Sequence, residues 1–183
     1  LMELFPDKVI ARMDQDTTRG KHAYAKLMDR MDDREIDILV GTQMLAKGLD
    51  FEHVQLVGVL NADHLLNFPD FRAHERAYQL LSQVSGRAGR RQKRGLVLIQ
   101  SYDPNHRILQ QVSTCDFEGM FFEQKEQRHQ FKYPPFYKLI KVTLKHRDFA
   151  VVDKAGFWLT QVLNRGLAPH VLGPVSPSVG RIR

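Results

Sequence analysis

The sequence predicts an α/β fold in which helices cover both faces of a parallel sheet. Four apolar runs have the length of strands, and segments with helical periodicity separate them. The runs at 36–40 and 55–60 are nearly continuous in their apolar character, which is typical of strands buried on both faces. The four runs lie at 8–13, 36–40, 55–60 and 96–100.

Strand and helix alternate in the first half of the chain. The β-prone run KVIARM at 8–13 is followed by polar residues that favour loops and helix caps. Apolar residues then recur at helical spacing from 20 to 31 and predict an amphipathic helix that returns to the sheet. A polar turn leads to IDILV at 36–40, and a connector leads to the third strand at 55–60.

An apolar helical stripe precedes the most distinctive stretch, QLLSQVSGRAGRRQKR at 79–94. Within it, Arg87 and Arg90 each follow a glycine, and Gln83 lies one turn earlier. Arginine grips phosphate oxygens in pairs, and glycine lets the backbone approach a ligand. The stretch indicates a phosphate-facing site, and the alternative is a solvated basic turn at a helix C-terminus. The stripe consists of Ala73, Ala77, Leu80, Leu81 and Val84.

The second half is predicted to hold further helices and then a small α+β unit. Helical faces are expected around Ile108, Leu109 and Val112, and around Phe117, Met120 and Phe121, with the aromatic side chains in the core. The pair Pro134 and Pro135 stops helix propagation and predicts a domain boundary. Beyond it we expect a strand at 139–144, a helix at 151–162 and a possible strand at 171–175.

Composition points to a folded protein with a phosphate-bearing partner. The net charge is +6, and 87–94 holds five basic residues and no acidic one, so a nucleotide or nucleic acid is the expected ligand. The single cysteine, Cys115, excludes a disulfide framework, and the scattered histidines show no metal-ligand spacing. No leader or membrane-spanning run is recognised, so a cytoplasmic protein is expected. The start at Leu1 is interpreted as that of a fragment.

The glycines and lysine of Gly41–Phe51, GTQMLAKGLDF, do not make a phosphate-binding P-loop. That motif needs Gly, four residues, then Gly-Lys-Ser/Thr, and no segment of the sequence has it. We therefore expect that the chain by itself does not hydrolyse ATP efficiently. Gly41 and Thr42 follow a strand and are well placed to contact a ligand in the crevice at the sheet edge.

Four motifs, in order, resemble the PriA family of primosomal replication-restart helicases (primosomal protein N′), which belongs to helicase superfamily two. The resemblance covers essentially all 183 residues. It implies most of a second RecA-like helicase lobe with motifs IV to VI at 1–131, and the truncated start of a C-terminal domain at 132–183. Asn61 stands where the family usually carries Asp, so no carboxylate role is assigned there. The motifs are RMDQDTT from Arg12, GTQMLAKGLDF from Gly41, NADHLLNFPDFRAHERAYQLLSQVSGRAGR from Asn61 and YPPF from Tyr133.

The resemblance implies an ATP-driven helicase that moves 3′ to 5′ on forked or single-stranded DNA, restarts stalled forks and loads the primosome. Arg87 and Arg90 match arginine fingers, and Gln83 matches the residue that positions the γ-phosphate and the attacking water. The remaining matches are Gly48 and Asp50 for nucleotide contact, and Arg12, Thr42 and Gln43 for the DNA backbone.

The resemblance also implies cofactors and partners. ATP and Mg would be bound mainly by a first lobe upstream of Leu1, and the family's zinc has no ligands in this sequence. Single-strand-binding protein and primosome proteins are the implied protein partners.

The sequence also allows other interpretations. The chain could be a non-catalytic nucleic-acid-binding module built on 87–94, or a protein-interaction platform built on 132–183. Asp50 could cap a helix or turn, and Thr42 could supply a turn hydroxyl. The acidic residues between the third strand and the arginine motif have no accompanying nucleophile or metal set and are interpreted as structural. They are Asp63, Asp70 and Glu75.

Overall fold

The computed structural model describes residues 1–14, 23–42, 53–86, 95–168 and 170–176. The chain divides into two compact units, Leu1–Gln130 and Phe131–Arg183. The predicted assignment of 1–131 to a second helicase lobe and of 132–183 to a C-terminal domain stays a prediction.

Two pairs of parallel strands form the sheet structure of the first unit, within its described residues. β1 (Ile10–Met13) pairs with β2 (Ile38–Gly41), and β3 (Leu56–Val59) pairs with β4 (Leu96–Ile99). A parallel pair needs a crossover connection, usually a helix. The helix α1 (Ala23–Asp32) lies between β1 and β2 in the chain, whereas α2 (Asp63–Leu66) and α3 (Ala73–Ser85) lie between β3 and β4. This is the predicted α/β class.

The core of this unit lies where α3 meets α4 (Arg107–Ser113) and α5 (Phe117–Gln130). The apolar stripe predicted for α3 faces the core as expected, because Ala77 and Leu81 are buried and Leu80 and Val84 are half-buried. Val59 and Ile99 pack against this core from the strand ends. The other core members are Ala62, Leu66, Tyr78, Ile108, Leu109, Val112 and Met120.

Two aromatic residues of α5 depart from the predicted core. Met120 is buried as expected, but Phe117 and Phe121 are exposed. The buried line of α5 runs from Met120 to Gln124, one turn apart. The two phenylalanine rings instead stack on each other beside this line, with centroids 6.2 Å apart. Their prediction as core residues is therefore wrong.

The second unit holds α6 (Phe149–Leu167), whose N-cap is Asp148: its carboxylate accepts a hydrogen bond of 2.8 Å from the Ala150 amide. The predicted helix is therefore present and longer than expected. The strands predicted at 139–144 and 171–175 are not formed. A strand needs a ladder partner, and the described part of this unit supplies none, so Ile140 is 90% exposed and Leu172 86%.

The described helices include none with the length and apolar character needed to cross a membrane.

Candidate nucleotide and nucleic-acid site

Gln83 lies on the last turn of α3, and its side chain is exposed. The opposite face of the helix packs into the core through Ala77, Tyr78 and Leu81. A helix held in this way presents its exposed polar side chains in a fixed direction. Gln83 is thus available to a ligand or to a neighbouring protein surface.

Gly86 caps α3, and its amide donates a hydrogen bond of 3.0 Å to the Ser82 carbonyl. A Cβ added at Gly86 would lie 3.6 Å from the same oxygen, which is an ordinary van der Waals contact. Its φ of −70° suits any residue. The described neighbours therefore leave room for a side chain at Gly86.

Most of the predicted site falls outside the described residues. Arg87 and Arg90, predicted as arginine fingers, lie there. So do Gly48 and Asp50 of the predicted nucleotide contact, and Gln43 of the predicted DNA contact. The roles of all five stay predictions.

Arg12 and Thr42 are brought to one edge of the first strand pair. Arg12 is opposite Val40 and Met13 is opposite Gly41, so Thr42 directly follows the carboxyl end of this ladder. Arg12 extends into solvent and forms an ion pair with the nearly buried carboxylate of Asp14. Such a half-exposed pair contributes little stability, but it restricts the guanidinium to this edge.

The start of α3 is held by a network of arginines and carboxylates. Asp70 accepts hydrogen bonds from the Arg72 amide at 2.8 Å and from the Arg76 guanidinium at 2.9 Å. The Arg72 amide first, and then the nearby Arg76 and Arg72 charges, hold the pKa of Asp70 below its ordinary value. The Arg72 guanidinium carbon lies 5.0 Å from the centroid of the Phe71 ring. Asp70 thus has a structural role in the described residues.

A second carboxylate, Asp63, joins the loops that follow β3 and β4. It accepts hydrogen bonds from the Ser101 hydroxyl at 2.9 Å and from the Tyr102 amide at 3.1 Å. Desolvation raises the pKa of Asp63, but these hydrogen bonds outweigh it and hold the pKa below its ordinary value. Sequence reasoning gave no role to Tyr102, because a single aromatic residue after a strand carries no periodic signal.

Metal binding has no support in the described part of the chain. No group of three or more histidine, cysteine, aspartate or glutamate side chains is arranged there to hold an ion. These residues therefore do not form a site that fits zinc or magnesium.

Comparison with known proteins identifies relatives over the whole chain. The family model for the helicase conserved C-terminal domain matches residues 6–92. The replication restart protein PriA of Bacillus subtilis (strain 168) is 43% identical over 187 residues, which cover 100% of this chain and 23% of that protein. PriA of Synechocystis is 44% identical over 100% of the chain and 22% of its own length, and PriA of Treponema pallidum is 37% identical over 98% and 27%. The chain thus spans about a quarter of the length of these relatives.

Proposed function

Because the chain belongs to the PriA family of superfamily-two helicases, we propose that it forms a motor lobe of an ATP-dependent DNA helicase. The complete protein moves 3′ to 5′ along DNA, restarts stalled replication forks and loads the primosome. This chain supplies the second RecA-like lobe and the beginning of the C-terminal domain. ATP is the substrate, and a first lobe elsewhere in the polypeptide holds most of it.

The observation that carries this proposal is the position of Gln83. It is exposed at the end of α3, whose other face is fixed in the core, and Arg87 and Arg90 follow it by four and seven residues in the sequence. A residue that stabilises charge in a transition state acts best from a rigid support, since it then needs no reorganisation during the reaction. The buried face of α3 is such a support.

The chemistry expected of these side chains is the stabilisation of phosphoryl transfer. Negative charge on the transferred phosphoryl group is neutralised by Arg87 and Arg90, and Gln83 orients the attacking water. The chain has no P-loop of its own and is inactive in isolation. Hydrolysis then depends on closure of the cleft between two lobes.

DNA stepping follows from the same closure. Arg12, Thr42 and Gln43 contact the DNA backbone, and Gly48 and Asp50 contact the nucleotide and couple it to DNA. Closing and opening of the cleft moves these groups relative to the first lobe. We further propose single-strand-binding protein and primosome proteins as partners, and the cytoplasm as the location.

The proposal is tested in the complete polypeptide by DNA-stimulated ATP hydrolysis. Arg87→Ala and Arg90→Ala are expected to lower turnover by about 10³-fold or more, with little change in DNA affinity. Arg91→Ala is the matched control, because it removes the same charge from the same segment without touching a predicted finger. Near-normal DNA-stimulated hydrolysis in both finger variants would overturn the proposal.

The rival interpretation, a non-catalytic nucleic-acid-binding module, predicts a different result. Turnover would be insensitive to Arg87 and Arg90, whereas neutralising Arg91, Lys93 and Arg94 would reduce the salt dependence of DNA binding.

A further inference from the structure

Tyr102 projects from the edge of the second strand pair at which β3 and β4 end. The register pairs Val59 with Ile99, so the residues that follow these two strands lie at a common edge. Tyr102 is 96% exposed there, and Leu60 is 80% exposed. In parallel α/β sheets, ligands bind outside the carboxyl ends of the strands. The ring is therefore free at the edge where a ligand is expected.

The backbone beneath this ring is fixed by hydrogen bonds. The Tyr102 amide and the Ser101 hydroxyl both donate to the carboxylate of Asp63. The Asp103 amide donates to the Ser101 hydroxyl at 3.1 Å, and the Ala62 amide donates to the Gln100 carbonyl at 2.9 Å. A rigid main chain that carries an uncovered aromatic ring is already organised for stacking, so binding would cost little ordering entropy.

We propose that Tyr102 is a stacking platform for a nucleobase of single-stranded DNA, an inference that rests on the proposed helicase function. Aromatic side chains that stack on successive bases are a general means of binding single strands without sequence preference. A single exposed aromatic residue is ordinary at most surface positions. Tyr102 differs because it lies beyond the carboxyl ends of two parallel strands, on a loop that hydrogen bonds to Asp63 hold in place.

The charges around Tyr102 favour a base over a phosphate as its neighbour. Asp63 is kept ionised by its hydrogen bonds, and Asp103 adds a second carboxylate next to the tyrosine in the chain. Two carboxylates repel a phosphate group, whereas a stacked base is uncharged. The contribution of Tyr102 to binding is thus expected to involve no release of counterions from DNA.

The first test is the affinity of the complete polypeptide for fluorescently labelled oligothymidylate at several salt concentrations. Tyr102→Ala is expected to weaken binding by about 5- to 150-fold. The slope of the logarithm of affinity against the logarithm of salt concentration should stay unchanged. Tyr102→Phe keeps the ring and should bind like the parent protein. Phe122→Ala removes an exposed ring from α5 and serves as the matched control.

The second test detects contact between DNA and Tyr102 directly, whatever other residues of the complete protein bind DNA. Oligothymidylate in which one thymine is replaced by 5-iodouracil is irradiated with the protein, and the cross-linked residue is identified by mass spectrometry. A cross-link at Tyr102 is expected, and Tyr102→Ala should abolish it. Unchanged affinity in Tyr102→Ala together with no cross-link at this position would overturn the stacking proposal. DNA-stimulated ATP hydrolysis would then still report separately on the proposed function.

Discussion

Arg128 of α5 forms an ion pair with Glu75 of α3. The Arg128 guanidinium carbon also lies 5.2 Å from the ring centroid of Phe71, two residues before α3 begins. The two side chains are 18% and 32% exposed, so solvent screens the pair only in part. This contact fastens α5 to the beginning of the helix whose last turn carries Gln83.

Removing the charge of Glu75 is expected to lower the stability of the protein. Glu75→Gln removes the ion pair that Glu75 forms with the largely buried Arg128 guanidinium, at a cost of about 1–3 kcal/mol in the free energy of unfolding. Glu126→Gln is the control, because it removes a charge from an exposed position on α5. Urea titration of both variants measures the difference. Equal midpoints would show that the pair contributes nothing.

The hydrogen bonds to Asp70 predict a loss of stability in acid. The pKa of Asp70 is below its ordinary value in the folded state, so its contribution is complete above the pKa of the unfolded state. It is lost as the pH falls through the folded pKa, that is, below about 4. Asp70→Asn should therefore reduce stability at neutral pH and flatten the decline below pH 4. Thermal unfolding followed between pH 2 and 7 is the measurement, and parallel curves for variant and parent would contradict the assignment.

His74 predicts a second pH dependence, closer to neutrality. Burial lowers its pKa, and the nearby His106, with ring centroids 5.3 Å apart, lowers it further, while Glu123 opposes the shift. The folded state thus resists protonation that the unfolded chain accepts below about pH 6.5. Stability is complete above that pH and declines as the pH falls through the folded pKa. His74→Gln should remove this decline, whereas His129→Gln, at an exposed position of α5, should retain it.

Two exposed glutamines lie one turn apart on α3, and only one of them is predicted to act in catalysis. Gln79 and Gln83 both lie on α3 and are both exposed. Gln83→Ala in the complete polypeptide is expected to lower DNA-stimulated ATP turnover by about 10²-fold, as loss of a charge-stabilising donor does. Gln79→Ala should leave turnover unchanged, and neither substitution should move the unfolding midpoint. Equal turnover in the two variants would remove Gln83 from the site.

The parts of the fold that local periodicity controls could be predicted from the sequence. The buried stripe of α3 and the apolar face of α4 follow from spacing of three and four residues. Helical periodicity does not determine how wide the buried face of α5 is. Met120 is therefore buried as predicted, whereas Phe117 and Phe121 are exposed although they were predicted to be buried. The strands expected at 139–144 and 171–175 depend on ladder partners that no local pattern can supply.

The candidate site, too, could be predicted only in part from the sequence. The motif around Gln83 could be recognised because its residues are close in the sequence. The role proposed for Tyr102 could not be predicted, because it depends on Asp63, 39 residues earlier in the chain, and on the exposure of a single ring. Contacts of this kind exist only once the tertiary structure has formed.

The proposed function rests on the claim that Arg87 and Arg90 act on a triphosphate held by another lobe. The most direct measurement is an experimental structure of the complete polypeptide with Mg and an ADP-based analogue of the phosphoryl-transfer transition state. The claim predicts a guanidinium nitrogen of Arg87 or Arg90 within about 3 Å of the oxygens that mimic the transferred phosphoryl group. It would be contradicted if both guanidinium groups turned away from the nucleotide and paired with carboxylates of their own lobe.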